Sequence, residues 1–129
     1  MSVKIWIAAT HHKAFLNGGW AYVRQDGAEL RGAAGGERRA TREAMAQAGL
    51  VAALKDLPKG ATVTVHAAKP DADALSGMAG IRLAVVKPEP RTPLAFADAW
   101  ADLASDKAKM AGAFAAAIPK ANLAKVLGL

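Results

Sequence analysis

Asp98 and Asp102 stand four residues apart in an apolar, alanine-rich run. On a helix that spacing puts both carboxylates on one face. Paired carboxylates can hold a hard cation, but no spacing here forms a specific metal signature, so both are expected to be solvated. Glu43, in a first helical turn, is expected to complement the free N–H groups there. His11-His12, with His66 far along the chain, could suggest zinc; adjacent histidines diverge and the chain has no cysteine, so no metal site is expected. Arg38, Arg39 and Arg42 lie at or just before a helix start, where guanidinium groups and free N–H groups together suit a phosphate. The stretch "GAAGG" at 32–36 has no lysine after it and no P-loop context. Trp6, Trp20 and Trp100 are expected to pack in or against the core, because few other aromatic residues could fill it.

The bulk properties bound what these residues can be part of. A chain of 129 residues is one domain with room for a real core. Seventeen Lys and Arg against eleven Asp and Glu give a net charge of +6 and a pI near 9.9, which favours anionic partners or simply keeps an apolar chain soluble. The absence of cysteine excludes disulfides and thiolate chemistry and suits a reducing compartment. No apolar run reaches membrane-spanning length and the start does not read as a signal peptide, so a cytoplasmic protein with no membrane partner is expected.

Val3 to Thr10 is long and β-rich enough for a central strand. Trp20–Gln25 and Ala28–Ala34 should pair as a hairpin about Asp26-Gly27, with Gly35-Gly36 ending it. Thr41 is the expected cap of a helix over 42–57, in which Ala46, Leu50, Ala53, Leu54 and Leu57 form one stripe. "ATVTVHAA" reads as a strand, "KPDADALSGM" as a short helix, and "IRLAVVK" as another strand. Thr92-Pro93 starts a long helix, with a break near Ser105-Asp106 and an end at Pro119; the tail adds a last turn. The expected order is β-β-β-α-β-α-β-α, an α/β fold with helices packed on a mixed sheet, and without repeats or linkers it is a single domain over 1–129.

That order, and the residues on it, resemble type 1 ribonuclease H. "VKIWIAATHHKAFLNGGWAYV" aligns with the family's first hairpin without a gap, Gly18, Gly19 and Trp20 matching its Gly-Gly-aromatic opening. "ATREAMAQAGLVAALKDL" looks like its first helix, through Thr41 and the apolar pairs Leu50-Val51 and Ala53-Leu54. "TVTVHAAK" matches its fourth strand. The resemblance covers roughly residues 3–70, and the family's longer helical insertion is missing between Ala67 and Ile81.

The family hydrolyses the RNA strand of RNA–DNA hybrids with two metal ions held by four carboxylates. The resemblance sets three of those positions on Ala8, Ala46 and Ala67; the fourth falls on Asp98 or Ala101. A methyl group cannot ligate Mg²⁺. What the resemblance implies is therefore a catalytically inactive ribonuclease H-like domain, without cofactor, that binds RNA–DNA hybrid or structured RNA by backbone and shape. Its candidate contacts are His11, His12, Lys13, Asn17, Arg38, Arg39 and Arg42. Two alternatives remain open: a protein-interaction scaffold using the emptied site, an exposed apolar patch at Ala8, Ala46 and Ala67, together with the alanine-rich last helix, and a metal-dependent nuclease with relocated carboxylates among Glu43, Asp98 and Asp102.

Overall fold

The structure, a computed structural model, describes residues 2–14 and 16–129; Met1 and Phe15 lie outside them. The elements are β1 (Ser2–His12), β2 (Asn17–Asp26), β3 (Glu29–Arg38), α1 (Arg42–Ala53), β4 (Thr62–Ala67), α2 (Lys69–Leu75), β5 (Ile81–Val85), α3 (Pro93–Ala111), β6 (Ala113–Ala117) and α4 (Lys120–Val126). They form an α/β fold around one mixed sheet of six strands in the order β5-β4-β1-β2-β3-β6. The pairs β1–β2, β2–β3 and β3–β6 are antiparallel, while β4 lies parallel to β1 and β5 parallel to β4. Among the described residues, no helix is long and apolar enough to cross a membrane.

Both expected caps form. Thr41 Oγ1 accepts from the Ala44 N–H at 3.0 Å, and Thr92 Oγ1 accepts from the Ala95 N–H at 3.3 Å ahead of Pro93. The hairpin turn sits one residue later than expected. Asp26 pairs with Glu29, leaving Gly27-Ala28 as the loop, and only Gly27 takes a positive φ, +60°. A turn with its single positive φ at the first central residue needs glycine there and accepts alanine next.

Three boundaries depart from the sequence expectations, each for a tertiary reason. β3 runs straight through Gly35-Gly36 to Arg38, because the pair is needed for close packing and does not mark a turn. α1 stops at Ala53, short of Leu57. The guanidinium of Arg24, from β2, reaches its end and donates to the carbonyls of Ala53, Lys55 and Asp56 at 3.3, 2.7 and 3.4 Å. α3 runs unbroken through Ser105-Asp106 and ends at Ala111, where Gly112 turns the chain at φ +91°. The alanine-rich run after it, expected to be helical, is the strand β6. Alanine favours helix only weakly enough that pairing with β3 overrides it.

The sheet separates two cores. Under α1 and α2, Val3, Ile5, Ile7 and Val65 meet Met45, Leu50 and Leu75, all fully or almost fully buried. Under α3 and α4, Ala8, Ala21 and Ala34 meet Leu94, Ala97, Ala101, Ala104 and Leu123. On this second face a Cβ on Gly19 would collide with the Ala101 carbonyl, and one on Gly36 would lie 2.6 Å from that of Ala104. The helix backbone therefore rests directly on the strands. The three tryptophans are half-buried, as expected.

Candidate functional site

A concavity of about 310 Å³ opens where β1 and β4 end, beside the starts of α2 and α3. Its floor is Ala8, Ala9 and Thr10, and its walls carry Arg42, Asp71, Asp98 and Asp102. The strand ends explain the location. β1 runs on past the end of β4, α2 begins directly after β4 with Asp71 in its first turn, and α3 brings Leu94, Asp98 and Asp102 from the other face of the sheet.

Asp71 is the best-held group. It is 1% exposed, in the first turn of α2, and its carboxylate accepts from the Ala9 N–H at 3.3 Å. Arg42 Nε donates to Oδ1 at 2.9 Å and a terminal nitrogen donates to Oδ2 at 3.4 Å, a forked pair that fixes both planes. The bond to Asp71 raises the pKa of Arg42 further, so its charge is permanent. Asp98 is half-buried, and desolvation, then Asp102, then Asp71 hold its carboxyl above the usual range, with Arg42 pulling the other way. Asp102 is 54% exposed and 3.9 Å from His12 Nε2. The Thr10 hydroxyl is buried with no partner among the described residues. Three carboxylates against one guanidinium leave the concavity net acidic. Even so, among the described residues no three His, Asp or Glu side chains are grouped to hold a metal ion.

The sequence candidates divide sharply here. His11, His12 and Arg42 line the concavity, and so does Ala8. Ala46 and Ala67 do not: they are fully buried on the α1 side of the sheet, whereas Ala8 packs on the α3 side. Ala8 itself is 3% exposed, so no exposed apolar patch exists at the three alanines. Of the two candidates for the fourth family carboxylate, Asp98 faces the concavity and Ala101 is buried against β2. Glu43 is exposed outside it, beside Pro70 and Asp73.

Asn17, offered as a nucleic-acid contact, is 1% exposed and donates from Nδ2 to the Ser105 carbonyl and hydroxyl, both at 2.8 Å. It ties β2 to α3 and presents nothing outward. Arg38 is exposed, but its guanidinium donates to the carbonyls of Lys109 and Met110 at 2.7–3.2 Å, where it complements the carboxyl end of α3. Lys13 and Arg39 are exposed, Arg39 at φ +55°. Asp71 was missed by sequence reasoning. Its signal was present in "KPDADAL", an aspartate just inside a helix start, but only the tertiary fold brings Arg42 to it.

The class this geometry defines is an α/β domain with a polar cleft at the carboxyl ends of its parallel strands, the usual place for a ligand in such sheets. No family model matches the chain, and no curated protein matches it either.

Proposed function

We propose that the chain is a ribonuclease H-like domain that does not hydrolyse and that binds nucleic acid through backbone and shape. The observation that carries this reading is the sheet with what surrounds one end of it. A three-strand meander is extended on the β1 side by β4 and β5, both parallel to β1. At the end where β1 and β3 finish and β2 begins, Lys13 and Arg39 follow the two outer strands, and Arg42 opens α1 just beyond. Ala8 on the floor supports the loss of hydrolysis, because a methyl group there offers no oxygen to a cation.

The acidic concavity repels phosphate, so backbone contacts fall on its rim. Lys13 and Arg39, both exposed, supply cations, and the exposed side of Arg42, 44% accessible, supplies part of another. Two to three phosphate contacts give a log–log salt slope of about −2 to −3 on duplex substrates. Binding of RNA–DNA hybrid, duplex RNA and single strands over a salt series tests this. Lys13→Ala with Arg39→Ala should flatten the slope by about two units whatever the sequence. No binding at low salt would remove the reading.

Asp98 and Asp102, side by side on the concavity wall, favour one second reading, a hydrolase with relocated carboxylates. It requires Mg²⁺- or Mn²⁺-dependent cleavage that EDTA stops and Asp98→Asn abolishes.

A further inference from the structure

α1 packs over β1 and β2 and leaves the same side of β6, with part of β3, uncovered. A trough of about 640 Å³ lies there, the size of a small-molecule site. The strand register explains its shape. Trp20, Gly35 and Ala115 form one cross-strand row and Tyr22, Ala33 and Ala117 the next, all on one side of the sheet. The Trp20 indole fills the space over Gly35, where a Cβ would lie 2.4 Å from the ring, and its plane is within 15° of the Tyr22 ring. These rings wall one side, and glycine and alanine floor the trough over about 10 Å from β2 to β6. Charge differs between its two ends. The row after Tyr22 and Ala33 is Arg24 and Arg31, and Lys120 follows β6 at the same end. Arg24 donates to the Lys55 carbonyl at 2.7 Å, which brings Lys55 there too. Arg31, Lys55 and Lys120 are exposed and line the trough, with one carboxylate, that of Asp56, 3.6 Å from Arg31. The row at the far end, Gly18, Glu37 and Ala113, carries the exposed Glu37. Among the described residues, no acidic side chain lines the trough itself.

We propose that this trough binds a small molecule with a fused aromatic ring system and one anionic group. The ring packs against Trp20 over Ala33, Ala115 and Ala117, and the anion points to Arg31, Lys55 and Lys120. Charge complementarity and shape together select that occupant. Three cations against one carboxylate attract an anion to one end, and Glu37 repels it from the other, which fixes the direction of binding. The indole offers a planar partner to an aromatic ring, and a floor without side chains beyond Cβ lets a flat body approach the strands. A neutral ring gains nothing from the cationic end, and an aliphatic anion gains nothing from the planar wall. The inference does not depend on the nucleic-acid reading, whose contacts lie at the opposite end of β2.

Titration of the full chain with 2-naphthoate and with 2-naphthyl phosphate, followed by amide and indole N–H shifts in nuclear magnetic resonance spectra, tests this. Ligands of this size should bind with dissociation constants of about 0.1–1 mM. The Trp20 indole N–H and the amides of Ala33, Ala115 and Ala117 should move together. Binding of either anion supports the site, and the tighter of the two identifies its anionic group. The neutral 2-naphthylmethanol and the aliphatic decanoate should each bind at least about fivefold more weakly than the better anion. Lys55→Gln with Lys120→Gln changes two exposed side chains, leaves the fold intact and should weaken that anion at least about fivefold. If neither anion moves these signals by about 10 mM, the proposal is overturned. So it is if the neutral ring or decanoate binds as tightly, or if the double variant binds as the wild type does.

Discussion

The two faces of the sheet are filled by opposite means. Beneath α1, branched and long side chains such as Ile5, Ile7, Met45 and Leu50 fill the gap between helix and strands. Beneath α3, the helix contributes mainly alanine and the strands contribute alanine and glycine, so the backbones themselves approach. The first face is stabilised by apolar volume removed from water, the second by contact between surfaces with almost no side chain between them. A substitution that one face tolerates is therefore damaging on the other.

The largest expected effect comes from Arg24, a charged group buried on the α1 face. Arg24 is 2% exposed, pairs with the buried Asp26 at 3.3 Å, and holds the last carbonyls of α1. Arg24→Leu leaves Asp26 charged without its partner and should cost about 3–5 kcal/mol in denaturant unfolding. Next comes Ile7→Ala, which opens a cavity among large neighbours; a loss of about 3–4 kcal/mol is expected. On the other face the damaging change goes the opposite way. Gly19→Ala adds a single methyl group against the Ala101 carbonyl and the Ser105 N–H, and should cost about 2–3 kcal/mol by forcing α3 away from β2. If Gly19→Ala proves neutral, α3 is free to shift and the contrast between the faces collapses.

The smallest effect has the opposite sign and refines the picture at the rim. Burial and Asp102 raise the Asp98 pKa above its ordinary 3.8. The folded state therefore binds that proton more tightly than the unfolded state, and stability falls as pH rises from the ordinary value through the folded one. Asp98→Asn removes a charge that is unfavourable at neutral pH, so it should stabilise the domain by about 0.5 kcal/mol there, after allowance for solvent screening. Below about pH 3, where the aspartate is protonated in both states, the variant and the wild type should melt together. A variant less stable than wild type at pH 7 would mean that the Asp98 charge is held by favourable contacts.

Much of this architecture was legible in the residues alone. The apolar run from Val3, the β-branched 62–67 segment and the stripe through Ala46 and Leu50 specify strands and a helix by period and propensity. Thr41 and Thr92 set helix starts because a cap needs only its own first turn. Both signals are local, and local chemistry is what a sequence carries. The site was legible in part: Arg42, His11 and His12 do border the concavity, and the face shared by Asp98 and Asp102 follows from their spacing.

The rest was decided by contacts between distant segments. Nothing near Asn17 signals that Ser105 will take its amide, or near Arg38 that the carbonyls of Lys109 and Met110 will take its guanidinium. Gly35-Gly36 reads as punctuation until Trp20 and the Ala104 carbonyl occupy the space that side chains there would need. The run 113–117 has helix propensity by composition and becomes a strand because β3 presents a free edge beside it, and Gly112 turns the chain onto that edge. Propensities of a few tenths of a kcal/mol per residue set the first choices. Ladder hydrogen bonds and close packing, available only once the sheet and α3 have met, reversed them where the two disagreed.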